Sequence, residues 1–475
     1  MKTIAQQSLK FVFTFTLILN LFSCEEDPQL PDNLAAFESA ELGFEADETE
    51  ITININFSRT VSEAGNIMVS LAPEGVEYGT DFTTSPAASA NTITVPFVAG
   101  AAQASFIVTR EPTAVLDGDE SISFTINSVS GELEQGATQQ LVLNFAEILA
   151  LQATMNINGG GPTYPNKVFI DLSANRQTAV DRTTWDLGFS MGNDFRVILN
   201  SSVTMMARGI DKADLNEVTT ADTVGFGEVM IIGANATPEA LAWIDDPEGD
   251  QTKTAIAEVS ATASENKVFI INRGASNPPS DPSEAIPSRG WKKVRILRNG
   301  NGYTLQHSDI GATSFQELQI TKDDQFNFRY VSFETGVVSI EPRKDRWDIA
   351  WTGFTNTTAL GPPGSPLIPY YFQDIVLQNR NGVETAELLI ANAGSYEEFT
   401  EANLDGITYL SNQIGIGAKW RSGGGPGTAP AVRTDRFYLV KDGGGNIYKL
   451  RFTALTQDGQ RGRPQIEFAL LKKAE

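Results

Sequence analysis

The sequence predicts an all-β protein with minor helix: an N-terminal β-sandwich followed by a duplicated antiparallel β-rich region. Three observations carry this. Apolar and polar residues alternate in short β-branched runs such as Glu50-Ile51-Thr52-Ile53-Asn54-Ile55-Asn56-Phe57, and a period of two marks half-buried strands. Turn residues return every ten to fifteen positions through the first third of the chain, as antiparallel strands require. A Trp-Asp-aliphatic-small-aromatic core occurs twice, as Trp185-Asp186-Leu187-Gly188-Phe189 and Trp347-Asp348-Ile349-Ala350-Trp351, the mark of a long internal repeat. With 475 residues, 41% of them hydrophobic, the chain can bury a core in each of several domains, and wholesale disorder is excluded.

Residues 1–23 read as a signal peptide: Lys2 and Lys10 precede an apolar run from Phe11 to Phe22 that is too short for a comfortable transmembrane span. The run ends in Leu21-Phe22-Ser23-Cys24, which resembles a bacterial lipobox. The resemblance implies cleavage before Cys24 and acylation of its thiol, and a multiply acylated terminus anchors stably. Glu25-Glu26-Asp27 follow and resemble the surface-export signal of Bacteroidota lipoproteins, so the expected location is the outer membrane, lipid-anchored and facing out. Residues 24–36 form an acidic, Pro-containing tether.

Residues 37–150 hold the alternating strands of the sandwich, among them Ile67-Met68-Val69-Ser70-Leu71, Thr92-Ile93-Thr94-Val95 and Ser121-Ile122-Ser123-Phe124-Thr125-Ile126. Gly79-Thr80-Asp81-Phe82, Val95-Pro96-Phe97 with Gly100, and Asp117-Gly118-Asp119-Glu120 before a strand resemble the Calx-β family. By that resemblance Asp81, Asp117, Asp119 and Glu120, together with Glu45, are candidate calcium ligands, although Arg110-Glu111-Pro112 stands where the family has a paired Asp. Charge sets this segment apart: residues 25–150 hold 21 acids against Arg59 and Arg110, a net of −19, whereas residues 151–475 carry a net of −7. Clustered carboxylates repel, and a hard divalent cation relieves that repulsion. The alternative is a solvated acidic surface on a tethered spacer.

The repeat occupies 151–313 and 314–475. Val168-Phe169-Ile170-Asp171-Leu172 is echoed by Tyr330-Val331-Ser332-Phe333, and Lys267-Val268-Phe269-Ile270-Ile271 by Arg436-Phe437-Tyr438-Leu439-Val440. The copies are either two related modules or two halves of one pseudo-symmetric domain. Within each Trp-Asp strand the two aromatics lie four positions apart, an offset that places them on one face of a sheet, with the Asp on the other. That Asp is expected to satisfy a neighbouring donor rather than to do catalysis. Helix is expected only around Pro238 to Asp245 and Ser395 to Asn403.

Tyr330-Val331-Ser332-Phe333-Glu334-Thr335-Gly336-Val337-Val338, then Arg346-Trp347-Asp348-Ile349-Ala350, and the hairpin from Arg436 to Phe452 resemble the HmuY family, haem-binding surface lipoproteins of Bacteroidota. The resemblance implies a haem-binding fold that hands its cargo to a TonB-dependent outer-membrane transporter, with the iron held between two axial ligands on loops. The second ligand loop corresponds to 417–427, which contains no His, Met, Cys or Tyr. The chain has one His, so a bis-His site is excluded in a monomer. His307 lies in an alternating stretch and is expected to be an exposed strand residue. Thioether ligation leaves Met191 and Met206 as haem ligand candidates, while Met230 in an apolar run is core; Met fills core gaps more often than it binds iron.

Other classes are excluded or unsupported. Lys and Arg total 35 against 59 Asp and Glu, which argues against nucleic acid, since neutralising phosphates needs a basic surface. One Cys and one His rule out disulfide frameworks and multi-thiolate zinc. No nucleophile elbow with a usable His, zinc-protease motif or P-loop occurs, so no enzyme is expected. The second functional reading is an adhesion or glycan-binding lipoprotein that has lost haem, with Trp243, Trp291, Trp351, Trp420 and Tyr370-Tyr371 as aromatic platforms or packed core.

Overall fold

The computed structural model describes residues 32–44, 48–112, 114, 120–145, 150–279, 281, 283–423, 429–457 and 459–474. Cys24, Glu45, Asp117 and Asp119 lie outside the described residues, as do the signal segment and most of the tether. The protein is all-β with minor helix.

The first ten strands are β1 (Asn33–Phe37), β2 (Glu41–Gly43), β3 (Glu50–Phe57), β4 (Gly65–Glu74), β5 (Phe82–Ser85), β6 (Thr92–Phe97), β7 (Gln103–Arg110), β8 (Ser121–Val129), β9 (Leu133–Gln135) and β10 (Gln140–Asn144). They form two five-stranded sheets, β5-β7-β3-β1-β9 and β2-β10-β8-β4-β6. Alternation sets the register: Ile51, Ile53, Ile55 and Phe57 of β3 point inward and meet Ile67, Val69 and Leu71 of β4 in one core. A one-residue slip would turn every one of these side chains to water.

The duplicated region continues with β11 (Gln152–Asn156), β12 (Asn166–Asp171), β13 (Arg176–Asp181), β14 (Leu187–Ser190), β15 (Val197–Leu199), β16 (Met206–Ile210), β17 (Val268–Asn272), β18 (Trp291–Asn299), β19 (Gly302–Asp309) and β20 (Gln316–Ile320). It ends with β21 (Phe328–Ser332), β22 (Gly336–Val338), β23 (Ile349–Ala359), β24 (Leu367–Gln378), β25 (Glu384–Leu389), β26 (Arg436–Lys441), β27 (Ile447–Ala454) and β28 (Gln465–Lys472). These strands make four sheets: β11-β28-β27-β26-β25, β13-β12-β23-β24, β15-β14-β21-β22 and β16-β17-β18-β19-β20.

The copies are halves of one pseudo-symmetric unit that exchange strands. β12 of the first half pairs with β23 of the second (Val168 opposite Trp351, Ile170 opposite Ile349), and β21 of the second pairs with β14 of the first (Phe189 opposite Arg329, Leu187 opposite Val331). In the outer sheets, β11 joins β28 and β20 joins β19. Each half therefore lends its opening strands to the other.

Four sheets stack with three apolar layers between them. One outer layer contains Ile349, Trp351, Tyr448 and Phe468, the other Leu187, Phe189, Val294 and Leu305. The central layer joins Trp185, Trp347, Phe169, Phe328 and Tyr330. The aromatics of each Trp-Asp strand thus do not share a face as expected. Trp185 packs edge-on against Tyr330 (4.7 Å) and Trp347 against Phe169 (5.0 Å) in the centre, while Phe189 and Trp351 sit in the outer layers. The reason is local: ladder pairing begins only at Leu187 and Ile349, so the Trp precedes the pleated strand and its offset is not counted along it.

The expected helices shrink to short 3-10 segments of one or two turns. Pro238–Trp243 is one such segment, stopped by extended backbone at Ile244, and Glu401–Asn403 is another.

Candidate functional site

The two Asp residues of the repeat act as expected on backbone donors. The Leu172 N–H donates to Asp348 Oδ2 (2.8 Å), and the Phe333 N–H to Asp186 Oδ2 (2.9 Å). In both halves the carboxylate pins the end of a strand contributed by the other half. What surrounds them differs. Asp186, fully buried, accepts from Arg273 Nε (2.9 Å) and Nη2 (3.1 Å), and Arg289 Nη2 lies 2.9 Å away. Among the described residues no such cation meets Asp348. Burial pushes its carboxyl well above the usual carboxylate range, with Asp171 and Asp442 adding repulsion. Asp171 is raised in turn, chiefly by burial.

A groove of about 470 Å³ opens at the seam between the halves. The first half supplies Met191 and Asp194 from the turn after β14, and the second supplies Asn327, Lys344, Arg380 and Asn381. Arg380 donates through Nη1 to the Gly249 carbonyl and through Nη2 to Gln413 Oε1 (2.8 Å). Behind it lies a buried polar group: Glu341 accepts from Tyr330 Oη (2.8 Å) and the Asn327 N–H (2.7 Å), with its carboxyl raised by burial. Burial also depresses the Lys167 ammonium to about 8, and its Nζ sits 4.8 Å from the Phe169 ring centre. Cations and amides, with the Asp194 and Asp324 carboxylates beside them, can orient a polar ligand by charge-assisted hydrogen bonds.

The haem ligand candidates fall in separate places. Met191 touches this groove, but it is 5% exposed and its Sδ accepts from the Asp323 N–H (3.2 Å). Met206 is buried with Met230, Ala240 and Ile244 in a small core. His307, expected on the surface, is instead buried against Phe333 with ring centres 5.2 Å apart. Phe333, from the segment after β21 of the other half, packs on it, a contact that an alternating pattern by itself does not reveal. Burial lowers the His307 pKa, so the ring is neutral at physiological pH.

The loop expected to carry the second ligand is packed along its described part. Trp420 is fully buried, stacks on Phe452 (4.1 Å) and donates from Nε1 to the Asp374 carbonyl (3.1 Å). Arg421 approaches Asp374 at 3.5 Å. Gly424 to Gly427 lie outside the described residues. Trp351 is likewise fully buried, so Trp351 and Trp420 are core rather than platforms.

At one end of the sandwich the two described calcium candidates come near a shared aromatic pair. Asp81 Oδ2 accepts from the Glu77 N–H (2.8 Å) within its own turn, Phe82 packs on Phe145 (5.9 Å), and the Phe145 N–H reaches the Glu120 carbonyl (3.0 Å). Among the described residues no group of three His, Cys, Asp or Glu is arranged to hold a metal ion.

Sequence reasoning missed Arg273, Arg289, Lys344 and Arg380. None belongs to a motif. The repeat alignment places Arg273 opposite Asp442, and that change of sign is the one signal that could have drawn attention to it.

Residues 163–468 match the family model described as HmuY protein. No curated protein matches the chain. Similar solved structures include the apo-form Calx CBD1 domain, 13% identical, covering 24% of this chain and 96% of that one with a TM-score of 0.21. Another is CBD12 from CALX1.2, 10% identical, covering 31% and 74% with a TM-score of 0.21. A third is a two-domain protein of unknown function from Bacteroides fragilis, 11% identical, covering 42% and 73% with a TM-score of 0.18.

Proposed function

The chain belongs to the HmuY family, and from that premise we propose that it is a surface-exposed bacterial lipoprotein that captures a ligand without transforming it. Anchoring through acylated Cys24 fits this reading. No helix among the described residues is long and apolar enough to cross a membrane.

Haem capture with delivery to a TonB-dependent transporter is what the family resemblance implies, and the residues present do not fit axial ligation. A haem slot needs two donors facing one another across an apolar cleft. Here Met191 is tied to a backbone N–H, Met206 is sealed in a core, and His307 is buried against Phe333. The groove beside Met191 is lined by Lys344, Arg380, Asp194, Asp324 and the amides of Asn193, Asn327 and Asn381. That polar lining is the single observation that carries the reading we favour: the HmuY scaffold holds a polar ligand at the seam and has lost iron ligation. Glycan or protein adhesion is the class that remains.

The test is a haemin titration of the purified mature protein. No stoichiometric Soret shift is expected at micromolar haemin. A sharp shift that vanishes in Met191→Ala or Met206→Ala would restore the haem reading. Calcium at the acidic end of the sandwich is tested separately: binding there raises the melting midpoint, and a midpoint indifferent to chelator removes Asp81, Asp117, Asp119 and Glu120 from consideration.

A further inference from the structure

Two polar cavities, of about 520 and 400 Å³, lie where the sandwich meets the duplicated unit. Both are bordered by Glu38, Ser39 and Asn175, and the hydrogen bond from Asn175 Nδ2 to Ser39 Oγ (3.0 Å) joins their shared wall. The larger lies within the size range of small-molecule sites.

Among the described residues no apolar cluster bridges the two units; each core ends within its own strands. The bridges are polar. Arg176 reaches Glu48 (2.9 Å) and the Gly43 carbonyl (3.0 Å), Arg463 Nη2 donates to the Phe57 carbonyl (2.7 Å), and Asn158 Nδ2 approaches Asn56 Oδ1 (3.3 Å) and Gln103 Oε1 (3.4 Å). A junction of this kind is looser than a shared core, and a ligand between the units would tighten it.

The walls define the ligand's chemistry. Asn158 and Asn175 use their Nδ2 groups on protein partners, and among the described residues neither Oδ1 has a protein hydrogen bond. Asn54 Nδ2 donates to Glu38 Oε2 (2.8 Å), with the Asn56 side chain beside it. Burial lifts Glu38 to about 7, so near neutral pH it both donates and accepts. Carboxamides and a protonated carboxyl present mixed donors and acceptors with little net charge, the complement of a hydroxyl group. The large apolar side chains nearby, Phe37 and Phe57, belong to the sandwich core. A lipophilic ligand would find no apolar wall of that size, and an anionic one would meet the carboxylates of Glu41, Glu48 and Glu50, of which Glu48 is already paired with Arg176.

We propose that this junction is a binding site for a neutral, polyhydroxylated ligand of one or two sugar rings, clasped between Asn56 and Glu38 of the sandwich and Asn158 and Asn175 of the duplicated unit. The site is separate from the seam groove and does not depend on what that groove holds.

Calorimetric titration of the full mature chain with maltose, cellobiose and chitobiose tests it. Saturable binding of at least one is expected, weakened about tenfold by Asn56→Ala and by Asn158→Ala, the effect of losing one ligand hydrogen bond. Lys267→Ala, at an exposed ion pair with Asp211, should leave it unchanged, and melting curves confirm that each variant is folded. The proposal is overturned if none of the three sugars binds saturably up to about 10 mM. It is equally overturned if only one of the two Asn variants weakens binding, or if Lys267→Ala abolishes it.

Discussion

At the scale of single residues, the two halves show one architecture solved with opposite charges. Asp186 is enclosed by Arg273 and Arg289 and also holds the Phe333 N–H. Removing it takes the buried carboxylate from two buried guanidinium groups, leaving Arg273 with Glu334 and Arg289 with backbone carbonyls, and breaking a buried pair from one side costs about 3–5 kcal/mol. Asp186→Ala should therefore lower chemical-denaturation stability by about that amount. Asp348 is the converse case. Its folded carboxyl and that of Asp171 are raised by burial, whereas the unfolded groups ionise near pH 3.9. These two groups hold more protons in the folded state above that pH, so their contribution to stability is fully present in acid and is lost as pH rises through the folded values. Asp348→Asn can still accept from the Leu172 N–H and carries no charge. Its melting midpoint should exceed that of the wild type at neutral pH and converge with it below about pH 4, as calorimetry across pH would show.

At the scale of elements, the long β23–β24 hairpin reaches from the core to an exposed tip at Leu360 and Leu367. Its register shifts between Thr352 and Phe354, and a bulge of this kind bends a strand and re-aims its side chains. Gly353 sits at the shift with the Tyr371 hydroxyl against its backbone: a Cβ there would lie 1.8 Å from that oxygen. Tyr371 must move before any larger residue fits, so Gly353→Ala should cost about 1–3 kcal/mol, read from the shift of a urea midpoint. Gly353→Ala melting like the wild type would show that the ring swings away freely. The Trp-Asp strands teach a related lesson. Their composition identified a buried element, but which layer each aromatic entered depended on where pairing starts, at Leu187 and Ile349.

At the scale of the whole molecule, strand exchange ties the halves into one cooperative unit. Residues 151–313 lack β20, β21 and β22, so β14 and β19 would each expose an unpaired edge, and such edges pair with other chains. Expressed alone, this fragment should form aggregates or exchanged dimers rather than a monomer on gel filtration. A monomer with a sharp thermal transition would show that the halves are independent. The sandwich differs, because its core is self-contained and its junction is polar.

The sequence by itself determined the all-β class, the sandwich, the repeat and the structural role of Asp186 and Asp348. Each of these rests on local periodicity or on a motif that recurs, and period-two alternation exposes one face to water and buries the other whatever the neighbours are. Only the tertiary structure decided that the halves swap strands, that His307 and Trp420 are buried, that Met191 and Met206 lie apart, and that Lys344 and Arg380 face one groove. Those outcomes depend on contacts between residues far apart in the chain, such as Ile170 with Ile349. No local pattern encodes which strand will lie alongside which, because two equivalent apolar faces bury equally well against either copy.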